Sequence, residues 1–180
     1  LPGGTMNLLS RRMHGEASCE EILDRIANSA FRTVRPQVAR CDAGDALAGL
    51  LSGPGTAWAS VREAMRDLDI AALAEETGDA LAETTGGAFV RMAEPPLGRR
   101  EGYPMIEFTP SHRGLQLDAY HAKDPGDFLR QGWALLRRRF REGPHDRLGL
   151  FDELTLENCE GEPIEVLLDG EPASLGSRAT

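Results

Sequence analysis

The sequence predicts an α+β fold, built mainly from antiparallel strands with three or four helices, and three observations point to it. Short runs of β-branched, aromatic and alternating residues recur between turn-forming clusters, as in Met105-Ile106-Glu107-Phe108 and Leu115-Gln116-Leu117-Asp118-Ala119 around Pro110-Ser111-His112-Arg113-Gly114. Stretches with helical spacing are few, and the clearest is opened by Ser18-Cys19-Glu20-Glu21, a capping box with Ser at the N-cap and Glu three residues on. A chain of 180 residues, 41% hydrophobic and 27% charged, can bury the core that such an arrangement needs.

The elements follow in order. Asn7 to His14 reads as a short helix after a glycine turn, and the capping box starts a second helix with Ile22, Leu23, Ile26 and Ala30 on one face. Phe31 to Arg35 is expected to be a half-buried edge strand, tolerant of Pro36. It should form a hairpin with a strand over Ala46 to Leu51, across the turn chemistry of Cys41 to Asp45. After Ser52-Gly53-Pro54-Gly55, Thr56 can cap a helix through Trp58, Val61 and Met65, and Ile70 to Thr84 reads as another. Ala88 to Met92, the two strands quoted above, Leu148 to Glu157 and Ile164 to Leu168 complete the strands. A helix is expected from Asp124 to about Phe140.

Charge and composition exclude some classes of function. A net charge of −9 disfavours nucleic acid as a main partner, because phosphate backbones call for a basic surface. No stretch reaches the length of apolar chain that spans a bilayer, and no basic-then-apolar leader marks the N-terminus. Cys19, Cys41 and Cys159 have no metal-binding spacing, so thiols in a reducing, cytoplasmic compartment are expected. The absence of an initiator Met suggests a fragment.

Gly3-Gly4-Thr5-Met6-Asn7 is the first segment that can carry chemistry. Glycines before a helix let backbone N–H groups approach a phosphate, and Thr5 and Asn7 can bond phosphate or sugar oxygens. A plain glycine turn with an N-capping Asn fits the same residues. No Lys follows the glycines, so this is not a Walker loop.

Leu1-Pro2-Gly3-Gly4-Thr5-Met6-Asn7 resembles a nucleotide-contacting loop of the diacylglycerol kinases and their relatives, the sphingosine kinases and bacterial lipid kinases. Leu168-Asp169-Gly170-Glu171-Pro172 resembles the Asp-Gly-Glu-Pro that closes the family's C-terminal domain, although Asp-Gly by itself is also a hairpin turn. The two motifs stand in the family's order. The resemblance implies that residues 1–14 are the last loop and helix of a nucleotide domain lying upstream, and that 15–180 form a sandwich-like, β-rich C-terminal domain. It implies ATP and Mg²⁺ in an interdomain cleft, with Gly4, Thr5, Asn7, Asp169 and Glu171 on the nucleotide side, and a lipid hydroxyl as phosphoryl acceptor. The Gly-Gly-Asp-Gly-Thr loop typical of the family is not in the chain, so this portion alone is expected to be inactive.

The family's paired acids, Asp-Asp-Gly, are also missing from the turn at Thr109 to Gly114. His112 or Asp118 could replace them as the base for the lipid hydroxyl; a solvated turn or strand residue is the plainer role for each. The alternative to a kinase is therefore a non-catalytic lipid- or nucleotide-binding module descended from one. Within the helix expected over residues 128–141, Leu129, Trp133, Leu136 and Phe140 oppose Arg130, Arg137 and Arg141, which suits peripheral contact with an anionic membrane as well as ordinary packing. Trp58, Val61 and Met65 fit either the core or a lipid pocket.

Overall fold

A computed structural model describes residues 8–57, 76–80, 82, 86–121 and 145–180. Helix α1 (Leu8–His14) is followed by α2 (Cys19–Ala27), whose capping box is complete: Ser18 Oγ accepts from Glu21 N at 3.1 Å, and Glu21 Oε2 accepts from Ser18 N at 2.8 Å. At its other end Ser29 takes a left-handed φ of 55°. Ser29 N then donates to Ile26 O (3.0 Å) and Ala30 N to Arg25 O (2.7 Å), the paired bonds of a Schellman termination. Only Ile22 of α2 is buried, so the expected apolar face is mostly exposed at Leu23 and Ile26.

The strand expected over Phe31 to Arg35 does not form. Residues 30–38 are irregular and Phe31 is exposed, since alternation without a neighbouring strand leaves the backbone nothing to pair with. The hairpin forms a few residues later, between β1 (Ala39–Cys41) and β2 (Gly44–Ala46), with Asp42-Ala43 at its tip and an Arg40–Asp45 ion pair across it.

The remaining strands are β3 (Leu50–Ser52), β4 (Val90–Glu94), β5 (Met105–Ser111), β6 (Gly114–Tyr120), β7 (His145–Phe151), β8 (Thr155–Asn158), β9 (Ile164–Leu168), β10 (Glu171–Leu175) and β11 (Arg178–Ala179). They make a six-stranded sheet in the order β10-β9-β3-β5-β6-β7 and a three-stranded sheet in the order β11-β8-β4, every pairing antiparallel. Leu50, Ile106, Phe108, Leu117, Ile164 and Val166 of the larger sheet share one buried cluster with Val90, Met92, Leu156 and Ala179 of the smaller. The fold is therefore α+β and β-rich, two sheets over one core, as the turn-punctuated strands indicated.

The strand expected over Ala46 to Leu51 is split, β2 ending at Ala46 and β3 starting at Leu50 beyond a loop at 47–49, and two further strand expectations differ. Leu148 to Glu157 is not one strand: Asp152-Glu153-Leu154 is a corner, and the chain leaves the larger sheet as β7 and enters the smaller as β8. Strand β10 is the second arm of the Asp169-Gly170 hairpin, and β11, two residues long, is too short to show alternation. Of the expected helices, residues 54–57 form a 3-10 turn and residues 76–80 and 82 are helical, while the other residues of both and all of the helix expected from Asp124 to about Phe140 lie outside the described residues. The corner at Gly53 is tight: its φ is +100°, and a Cβ there would lie 2.7 Å from Pro104 O. Among the described residues no helix is long and apolar enough to cross a membrane.

Candidate functional site

The strand registers bring several separate segments to one end of the larger sheet. Strand β3 begins at Leu50, opposite Phe108 on one side and Leu168 on the other. At that same end β5 finishes at Ser111, β6 starts at Gly114, β7 finishes at Phe151, and the β9–β10 hairpin turns through Asp169 and Gly170.

Asp169 and Gly170 have φ values of 53° and 100°, so Asp-Gly is a hairpin turn with both central residues left-handed. The Asp169 carboxylate also reaches far along the chain. Its Oδ2 accepts from Leu47 N at 2.8 Å, and its Oδ1 accepts from Ala48 N at 2.7 Å and Gly49 N at 3.0 Å. Asp169 N in turn donates to Gly49 O at 3.0 Å. Both carboxylate oxygens are thus engaged by backbone, in a small amide nest that carries the chain from β2 into β3. Helix α1 joins the same loop, where Arg12 donates to Leu47 O at 2.7 Å. Glu171, the first residue of β10, is exposed two residues beyond Asp169.

Gly4, Thr5 and Asn7 lie outside the described residues; α1, which follows them, is tied through Arg12 to the loop that Asp169 holds. His112 sits exposed in the turn between β5 and β6. That turn is braced by Ser111 Oγ, which donates to Gly114 O (2.7 Å) and accepts from Arg113 N (3.2 Å). His112, Asp169 and Glu171 are therefore at one end of the sheet.

Asp118 is not among them. It lies within β6, four residues in from Gly114, opposite Glu107 and Arg147. It is only 3% exposed, so a solvated strand residue is the wrong description. Gln116 Nε2 donates to its Oδ2 at 2.7 Å and Arg147 Nε to its Oδ1 at 3.2 Å, with His145 Nε2 4.0 Å away. Its cross-strand partner Glu107 accepts from Tyr120 Oη at 2.6 Å. Burial of a carboxylate is tolerable when an Arg and an amide satisfy it. Glu107, Tyr120, His145 and Arg147 were missed as members of this network. Its one sequence signal is the every-second-residue polar row Glu107, Thr109 and Gln116, Asp118.

A second polar group lies at the edge of the core. Tyr103 Oη is 3.2 Å from Asp146 Oδ2 and accepts from Arg99 N, while Arg99 Nε and His121 Nε2 each stand 3.3 Å from Asp146. Burial pushes the Asp146 carboxyl up, but its bonds to Arg99 and Tyr103 and the nearby His121 outweigh this and leave it below the usual carboxylate range. Burial raises the Tyr103 phenol. Because Tyr103 exchanges two backbone bonds with Val90, this cluster clamps β4 to the loop before β5 and reads as structural.

Between the sheets, a cavity of about 330 Å³ opens beside the 111–114 turn. Val38, Leu50, Phe108, Leu115, Leu154 and Leu156 make it apolar, and Ser111, Gly114, Asp152 and Glu153 also line it. Asp152 Oδ1 would be 3.3 Å from a Cβ on Gly114, so this acid packs directly on the turn.

For Mg²⁺ the described residues do not fit. They contain no group of three or more His, Cys, Asp or Glu able to hold a metal ion, and the Asp169 oxygens are taken by amides. Cys19, Cys41 and Cys159 are free thiols. No protein-family model matches the chain, and no curated protein matches it.

Proposed function

We infer that the chain is the C-terminal part of a lipid kinase of the diacylglycerol-kinase type, which transfers the γ-phosphoryl group of ATP to a lipid hydroxyl. The observation that supports this is the gathering, at one end of the larger sheet, of α1, the Asp169-Gly170-Glu171 hairpin, the His112 turn and the mouth of an apolar cavity. The resemblance asked the segments at the two ends of the sequence to meet, and Arg12 and Asp169 bond adjoining groups of one three-residue loop.

In this proposal Gly4, Thr5 and Asn7 contact the nucleotide. Asp169 is a positioning residue: it fixes the 47–49 loop on which α1 sits. Glu171 supplies the exposed carboxylate near the phosphates. The acyl chain occupies the cavity between the sheets, and the hydroxyl stands at its mouth. An imidazole nitrogen of His112 takes the hydroxyl proton as the oxygen attacks the γ-phosphorus and ADP leaves. Asp118, buried and doubly bonded, ties β6 to β7.

The test is transfer of labelled γ-phosphate to diacylglycerol and sphingoid lipids by the protein carrying its nucleotide domain. His112→Ala is expected to lower kcat on the order of 100-fold, the size of a lost general base, with unchanged thermal stability. Asp118→Asn should instead destabilise the fold. Absence of transfer to every such lipid would remove the kinase proposal in favour of a binding module.

A further inference from the structure

Residues 25–41 contain Arg25, Arg32, Arg35 and Arg40 and no Asp or Glu, within a chain whose net charge is −9. Charge of one sign is thus concentrated where the rest of the protein carries the opposite sign. The same stretch is unusually apolar at its surface. Phe31 is 63% exposed, the highest value among the exposed large hydrophobics, and Ile26 and Val34 are 49% and 41% exposed. Leu23, one helical turn before Ile26, is 48% exposed. Arg40 is committed to Asp45, whereas Arg25, Arg32 and Arg35 are exposed.

Local structure holds these residues together. The Schellman bonds fold the chain back at Ser29, so Ala30 N is tied to Arg25 O and Phe31 follows directly after the helix end. The chain then continues through Val38 and Ala39 into the wall of the apolar cavity between the sheets. An exposed aromatic, aliphatic side chains and three arginines against a single acid, Asp24, form a surface that water solvates poorly and that anionic headgroups complement. Its continuity with an apolar cavity favours a lipid over a protein partner.

We propose that residues 23–35 form a membrane-docking surface, with Phe31, Ile26, Leu23 and Val34 entering the headgroup–acyl boundary of an anionic bilayer and Arg25, Arg32 and Arg35 contacting lipid phosphates. The docking rests on exposure and charge and does not depend on the kinase proposal.

The experiment is sedimentation of the 180-residue chain with vesicles of phosphatidylcholine alone and of roughly two parts phosphatidylcholine to one part phosphatidylserine. Binding is expected only to the anionic vesicles, and raised salt should weaken it. Phe31→Ser should lower the partition coefficient by about tenfold, and each of Arg25→Gln, Arg32→Gln and Arg35→Gln by about fivefold. These side chains are exposed, so the variants should keep the parent's unfolding temperature. Equal binding to both vesicles, no binding to either, or full binding by Phe31→Ser would overturn the proposal. Self-association abolished by Phe31→Ser without vesicle binding would instead make this face a contact between copies of the chain. Lipid binding without kinase activity would leave the docking surface standing and remove only the kinase.

Discussion

Replacing Asp169 should cost far more stability than an exposed turn residue normally does. The carboxylate accepts three backbone N–H groups at 2.7–3.0 Å, from residues some 120 positions earlier in the chain. Charge-assisted bonds contribute about 1.5–3 kcal/mol each when sheltered, but water can reach this site, so about 1 kcal/mol apiece is the reasonable figure. Asp169→Ala should therefore lose about 3 kcal/mol, which for a chain of this size lowers the unfolding temperature by roughly 6–12 °C. Two further variants separate the bonds from the backbone. Asp169→Gly loses the same bonds but relieves the left-handed φ of 53°, and should recover about 1 kcal/mol relative to Ala. Asp169→Asn keeps one acceptor oxygen and should fall between Ala and the parent. Urea unfolding of the four proteins, fitted with a common m-value, gives the differences directly. If Asp169→Gly matched the parent, the three amide bonds together would contribute no more than the relieved strain, about 1 kcal/mol, and the latch between the hairpin and the 47–49 loop would be wrong.

Two other outcomes follow from the core. Asp146 is held below the usual carboxylate range, so the stability it adds is present above about pH 4 and is lost as pH falls through its folded pKa. Tyr103, raised by burial, adds stability below about pH 10 that is lost as pH rises beyond it; Tyr103→Phe should abolish this alkaline loss and move the acid loss to higher pH, measured by thermal unfolding against pH. Gly53→Ala should destabilise by about 2–3 kcal/mol, because it combines a φ of +100° with a Cβ 2.7 Å from Pro104 O, and an unchanged urea midpoint would contradict that geometry.

What could be read from the sequence was local. Ser18 and Glu21 sit three residues apart and cap each other, and the alternation of Met105–Ser111 and Gly114–Tyr120 around a short turn gave a hairpin whose strands are within a few residues of those expected. Phe31 to Arg35 alternates equally well, yet it has no neighbour to pair with, and pairing is a property of the whole chain. The corner at Asp152-Glu153 was hidden because Leu148 to Glu157 is apolar enough to pass for one strand, although it serves two sheets. The Asp-Gly hairpin was visible as a turn, but its carboxylate's partners at Leu47, Ala48 and Gly49 were not, since nothing in a turn's sequence specifies so distant a contact. Asp118 was misjudged for a related reason. Alternation assigns it to the face away from the core, yet it is buried there with Gln116 and Arg147 bonded to it.

The central claim is that this chain works as the lipid-side half of a kinase. It is tested most directly by incubating ATP labelled in its γ-phosphate with diacylglycerol and the protein carrying both domains, then extracting the lipid. The expected result is labelled phospholipid from the two-domain protein and its Asp118→Asn variant, about 100-fold less from His112→Ala, and none from the 180-residue chain alone. No labelled lipid from the folded two-domain protein, with diacylglycerol or with sphingoid acceptors, would contradict it.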